Sequence, residues 1–82
     1  MDPSRFGGRL RELRELRQMY QQELAEKSGV GYRSICRIET GNQDPSWTAV
    51  CKLADALGVT PDVFLAKPAE FEAKTGKRAR GG

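Results

Sequence analysis

The 82 residues contain no histidine, only two cysteines and one tryptophan, and no long apolar run. Without histidine, neither a Ser/His/Asp nor a Cys/His nucleophilic set can be assembled. A structural zinc site draws four ligands from Cys and His, and Cys36 and Cys51 alone fall short of that. The carboxylates are scattered over positions that helices use for solvation and i,i+4 pairing. No cofactor and no metal are expected, and the chain does not read as an enzyme. No apolar stretch approaches the ~20 residues that span a bilayer, and the opening MDPSRFGG is not a signal peptide. The expectation is a cytoplasmic protein with no membrane partner and two reduced thiols.

An excess of one charge is also missing where it would matter most. The net charge is +3, yet residues 1–66 carry nine Lys/Arg against nine Asp/Glu. The whole excess lies in residues 67–82, where Lys67, Lys74, Lys77, Arg78 and Arg80 face Glu70 and Glu72. A case for nucleic acid must therefore rest on how charge is arranged within the folded part, and not on the isoelectric point. Residues 67–82 lose all periodicity and read as a disordered basic tail. The length suits one small domain, residues 1–66, near the size where a single core is only just sufficient, with no room for a sensor domain.

What is present is helical periodicity. Over residues 5–18, Phe6, Leu10, Leu13 and, at the edge, Leu16 recur at steps of three and four, with Arg9, Arg11, Glu12 and Glu15 on the other faces. A second, shorter helix fits Gln21–Ser28, with Leu24 and Ala25 inward. Ala25 and Gly29, small and four apart, suit the close approach of another helix. About three residues then separate Ser28 from Tyr32, which implies a sharp angle into a third helix over residues 32–40. Asp44-Pro45 blocks continuation of that helix. A fourth helix over residues 46–57 turns Trp47, Val50, Leu53, Ala54 and Leu57 inward, and Gly58 closes it. Thr60-Pro61-Asp62 starts a short fifth helix, with a capping hydroxyl, a proline in the first turn and an acid near the positive end. The fold class is all-α, a compact bundle of five short helices.

The third helix has two unlike faces. At about 100° per residue, Tyr32, Arg33, Cys36 and Arg37 share one side, while Ile35 and Ile38 anchor the other in a core. Gly41 follows where a left-handed cap belongs. Two readings of the outward side stay open: a merely solvated face, or a surface that recognises something.

The stretch YQQELAEKSGVGYRSICRIETGNQDPSWTAVCKLADALGVTPDVFL resembles the Cro/repressor-type, or XRE, helix-turn-helix family. The shared pattern runs through Gln21, Leu24-Ala25, Gly29, Ile35, Ile38-Glu39, Gly41 and Pro45-Ser46 in order, and the likeness covers residues 5–66. It implies a helix-turn-helix formed by the second and third helices, a fold of the phage-repressor DNA-binding-domain type, and double-stranded DNA as partner. Residues 32–40 would be the recognition helix in the major groove. By position, Tyr32, Arg33 and Arg37 would read bases, and Gln21, Asn42 and Gln43 would approach phosphates. Arg14 and Glu39 would form a partly buried ion pair. Cys36 reads as a small filler that lets the helix come close, and Trp47 stands where the family has a core aliphatic residue. Three positions depart from the pattern: Tyr20 and Gly31 replace hydroxyl caps, and Gln18 stands where glycine commonly ends the first helix.

One recognition helix contacts too few base pairs for selective binding. A homodimer is therefore expected, with two such helices about 34 Å apart on a two-fold site. The fifth helix and the end of the fourth, with Val59, Val63, Phe64 and Leu65, form the expected interface, modest because some of these must fill the core. The implied function is a sequence-specific transcriptional regulator, a repressor or autoregulator. The alternative is a protein-interaction module, antitoxin-like or an adaptor subunit, whose protein partner is encoded nearby.

Overall fold

The computed structural model describes residues 3–65, with side chains described over residues 6–64. Four α-helices follow one another: α1 (Pro3–Leu16), α2 (Gln21–Ser28), α3 (Tyr32–Glu39) and α4 (Trp47–Leu57), and no strand occurs among the described residues. The expected fifth α-helix is instead a 3-10 helix, Pro61–Leu65. Five residues suit the tighter 3-10 turn better than a ladder of i→i+4 bonds. The Thr60 carbonyl accepts from Val63 N–H at 3.1 Å, and the Thr60 hydroxyl donates to the Asp62 carboxylate instead of capping a backbone N–H. The basic tail of residues 67–82 lies outside the described residues.

Glycines and one glutamine stop the helices. Gly41, at φ 83°, sits just past α3, where Gly41 N–H bonds Ile38 O and Asn42 N–H bonds Arg37 O. Gly58 closes α4 in the same way at φ 75°, with Val59 N–H on Ala54 O. This is the left-handed terminus that glycine enters without cost. After α1 the same role falls to Gln18 at φ 57°, whose following residue Met19 donates its N–H to Arg14 O. A side chain at that backbone conformation stores about 1 kcal/mol of strain. Gly29, at φ 79°, caps α2, and a Cβ there would meet nothing within 4 Å. Its role is conformational, and the close helix approach expected at this position does not occur.

One core joins every element: Phe6, Leu10 and Leu13 from α1, Leu24 from α2, Ile35 and Ile38 from α3, Leu53, Ala54 and Leu57 from α4, and Val63 and Phe64 from the 3-10 helix. Each of the large side chains contributes about 1.5–3 kcal/mol on burial. The Phe6 and Phe64 rings lie 4.5 Å apart and tilted by 36°, tying the first helix to the last element. α1 packs against α3, and α2 packs against both α3 and α4.

Two expectations about faces fail. Arg9 was expected outward but is only 9% exposed, and its Nη1 donates to Val63 O at 3.2 Å. Trp47 was expected in the core but is 69% exposed at the first residue of α4. The core of this small bundle is closed by Leu53, Ala54 and Leu57, further along the same helix.

Candidate nucleic-acid interface

α3 is held from three sides. On its inner face Ile35 and Ile38 are fully buried. From α1, the backbone of Gly7 comes so near the end of α3 that an added Cβ would lie 2.1 Å from Ile38 O and 2.9 Å from Glu39 O. Only glycine permits that approach. Two turns further along α1, Arg14 grips the same end. Its Nε donates to Glu39 Oε2 at 2.8 Å, Nη2 to Glu39 Oε1 at 3.1 Å, and Nη1 to Met19 O at 2.7 Å. The fork matches the carboxylate geometrically, and the Glu39 side chain is 3% exposed. The hydrogen bond to Glu39 raises the Arg14 pKa above its ordinary value, against the lowering effect of burial. One guanidinium therefore joins α1, the turn into α2 and the end of α3.

Gln21, the first residue of α2, extends this cluster toward the outward face. Its Nε2 donates to Glu39 Oε1 at 3.0 Å, and its Oε1 accepts from the Cys36 thiol at 3.3 Å. Glu23 accepts the Tyr20 N–H at 2.9 Å, which supplies a cap where Tyr20 brings no short hydroxyl. At the far end of α3 the Thr40 hydroxyl donates toward Cys36 O and Arg37 O, each at 3.1 Å, and Asn42 Nδ2 donates to that hydroxyl at 3.1 Å. Asn42 thus shapes the turn after Gly41, while the Gln43 side chain is half-buried beside it.

What faces solvent is Tyr32, Arg33 and Arg37, with Cys36 half-buried among them. Tyr32 is 49% exposed. A side-chain hydrogen-bonding interaction with Cys36, one turn on, pushes its phenol pKa up, so it stays a neutral donor at physiological pH. The two arginines differ from those of α1 and of the turn just after it. Arg9 bonds Val63 O, Arg11 pairs with Glu15 at 3.2 Å, Arg14 pairs with Glu39, and Arg17 Nε donates to Leu57 O at 3.0 Å. Neither the Arg33 nor the Arg37 side chain has a hydrogen bond or ion pair among the described residues. Two arginines one turn apart are left without an internal partner once the fold has used Arg9, Arg11, Arg14 and Arg17.

Sequence reasoning brought together Arg14, Glu39, Gln21 and the α3 face, but missed three contributors. Arg17, at the close of α1, went unnoticed as the cap of the last turn of α4. Cys36 was read as a filler, although it donates a hydrogen bond. Gly7 carried an available signal: a glycine inside a helix costs about 0.5–1 kcal/mol relative to alanine, so its presence asks for a close contact.

The fold and this surface define a helix-turn-helix domain, with α3 as its exposed second arm. A family described as the helix-turn-helix domain matches residues 5–66. The chain is 38% identical to the HTH-type transcriptional repressor RghR of Bacillus subtilis over 68 residues, 82% of this chain and 50% of that protein. It is also 38% identical to the uncharacterized HTH-type transcriptional regulator MJ0272 of Methanocaldococcus jannaschii over 58 residues, 70% of this chain and 88% of that one. Among solved structures it resembles the restriction-modification controller protein C.AhdI from Aeromonas hydrophila, with a TM-score of 0.72 and 38% identity, covering 73% of this chain and 91% of that one. The chain belongs to the helix-turn-helix family of XRE-type DNA-binding transcriptional regulators. It spans half the length of the Bacillus relative, and no described helix is long and apolar enough to cross a membrane.

Proposed function

We propose that this chain represses transcription, or regulates its own, by binding a two-fold DNA site as a homodimer with α3 in the major groove. Residues 1–66 form the binding domain, and residues 67–82 add a basic tail. Arg33 and Arg37 read bases, each able to donate two hydrogen bonds to guanine O6 and N7. Tyr32 donates to a phosphate or packs its ring on a thymine methyl. Gln21, Asn42 and Gln43 approach the backbone on either side. The observation that carries this reading is the contrast among arginines. The described arginines of α1 are all engaged within the fold, whereas Arg33 and Arg37 stand exposed without a partner.

The test begins with selection of bound duplexes from a random pool. Arg33→Ala and Arg37→Ala should each weaken binding to the selected site by the ~1–3 kcal/mol of a good base contact, with helicity and melting unchanged. Unaltered affinity in both variants would remove α3 from the role of reader.

A second reading, an antitoxin-like or adaptor module whose main partner is a protein encoded nearby, draws on Trp47, which stands 69% exposed as an apolar anchor would. Enrichment of no duplex at all would favour that reading over the first.

A further inference from the structure

The polar chain from Arg14 through Glu39 and Gln21 ends on Cys36, and the last link has no role in the readout described above. Both Glu39 oxygens are acceptors, so the Gln21 atom 3.0 Å from Glu39 Oε1 is the amide nitrogen. The other end of the carboxamide is then an acceptor, and it faces the Cys36 thiol, a donor, at 3.3 Å. Two partners of opposite kind fix both the flip and the direction of a single carboxamide. Glu39 is itself held by the Arg14 fork, so the chain is anchored at its buried end. Nε2 carries a second N–H, and no described residue accepts it. Gln21 opens α2 and touches α3 at Cys36, so this N–H belongs to the junction of the two helix-turn-helix arms, between Tyr32 and the end of α3.

We propose that Cys36 is a positioning residue for DNA binding: its thiol holds the Gln21 carboxamide so that the free Nε2–H is presented to a backbone phosphate. The inference rests on the DNA-binding reading above and deepens it by one residue. A carboxamide fixed in advance loses little further freedom when the phosphate arrives, whereas a loose one must be ordered at that moment. The chemistry asks for a small donor at position 36. A thiol or hydroxyl satisfies Oε1 and leaves the face open, a methyl leaves Oε1 to water, and anything larger blocks the approach.

The experiment measures affinity of the full chain for a duplex selected from a random pool. The proteins are wild type, Cys36→Ala, Cys36→Ser, Gln21→Ala, Cys36→Ala with Gln21→Ala, and Arg33→Ala as reference. Cys36→Ala should weaken binding about threefold to tenfold, the fold-change that one hydrogen bond commonly carries. Cys36→Ser should recover most of the loss, and the double variant should bind no worse than Gln21→Ala alone. In the free protein, the side-chain amide shifts of Gln21 should stay displaced from random-coil values in wild type and Cys36→Ser, and move toward them in Cys36→Ala. Melting curves identify a variant that has simply lost its fold; the serine variant and the Gln21 comparison then decide. Unchanged affinity in Cys36→Ala, a serine that behaves like alanine, or additive losses in the double variant would overturn the proposal. If Arg33→Ala weakens binding while the Cys36 series does not, this inference falls alone. If Arg33→Ala binds as wild type, the readout assignment falls and takes this inference with it.

Discussion

Gly7 and Gly8 are neighbours in one helix with opposite surroundings. A Cβ at Gly7 would sit 2.1 Å from Ile38 O, while one at Gly8 would meet nothing within 4 Å. Alanine gains about 0.5–1 kcal/mol of helix propensity over glycine at either place. At residue 7 that gain is outweighed by overpacking against backbone that has nowhere to move, typically about 1–3 kcal/mol. Gly7→Ala should therefore lower the denaturant midpoint, and Gly8→Ala should raise it. A rise in both would mean that α1 does not rest on the end of α3. The same residue type can serve two ends within α1: Arg11 pairs in solvent with Glu15, while Arg14 enters the interior to meet Glu39.

At the scale of the element, α3 has eight residues and a weakly specified N-terminal end. Its N-terminal cap, Gly31, makes no side-chain hydrogen bond, so its position comes from what it packs on. The Arg14–Glu39 pair is the strongest polar part of that support. Removing one partner of a buried pair leaves an uncompensated charge, at a cost of about 3–5 kcal/mol. Arg14→Ala and Glu39→Ala should each lower stability on that scale in chemical denaturation, and the double variant should lose less than the two singles together. Strict additivity would mean that the contact contributes nothing. Because the Arg14 pKa is raised in the folded protein, its contribution is fully present below the unfolded value. It is lost only as pH climbs through the raised one, so mildly alkaline buffer should leave it intact.

The elements were legible because their punctuation is local. Gly41 and Gly58 each mark a helix end, and Ile35 with Ile38 separates the two faces of α3 by spacing alone. That Tyr32, Arg33 and Arg37 share a face followed from the same arithmetic, while their candidate role as readers came from the resemblance to the family. Arg9, Arg17 and Trp47 were not legible, because their surroundings are set by packing between distant segments. Arg9 reaches Val63 O and Arg17 reaches Leu57 O across separations of 54 and 40 residues. No periodicity within α1 encodes that distance. The 3-10 helix was misjudged for a related reason: its caps suggested a helix, but only its length and its docking of Val63 and Phe64 decide which kind.

For the molecule as a whole, pairing of two chains depends on what the core leaves over. Val63 and Phe64 are buried, so the surface near the end of α4 keeps half-buried Val59 beside a shallow depression of about 410 Å³ lined by Asp55, Gly58, Val59, Thr60 and Val63. In the proposed homodimer so little free apolar surface suits assembly completed on DNA, with the two α3 helices about 34 Å apart. Sedimentation with the selected duplex should give two chains per two-fold site. Val59→Glu should reduce this to one chain and weaken overall binding; because Val59 also packs against the core, a melting curve of the free variant checks that it remains folded. One wild-type chain on a site without symmetry would remove the dimer and leave the reading face standing.

The brevity of α3 reaches further than geometry. Eight residues are too few to hold a helix in water, since isolated helices shorter than about 12–15 residues are marginal. The proposed reading face therefore has no existence apart from the rest of the fold: it melts when α1 and α2 leave it. A duplex that engages this face binds the folded chain alone, and mass action then adds about 2.7 kcal/mol of apparent stability at a hundred times the dissociation constant. Copies seated on DNA are held closed, and copies adrift open more often to a protease. The abundance of such a protein would be set in part by how many sites are available to occupy it.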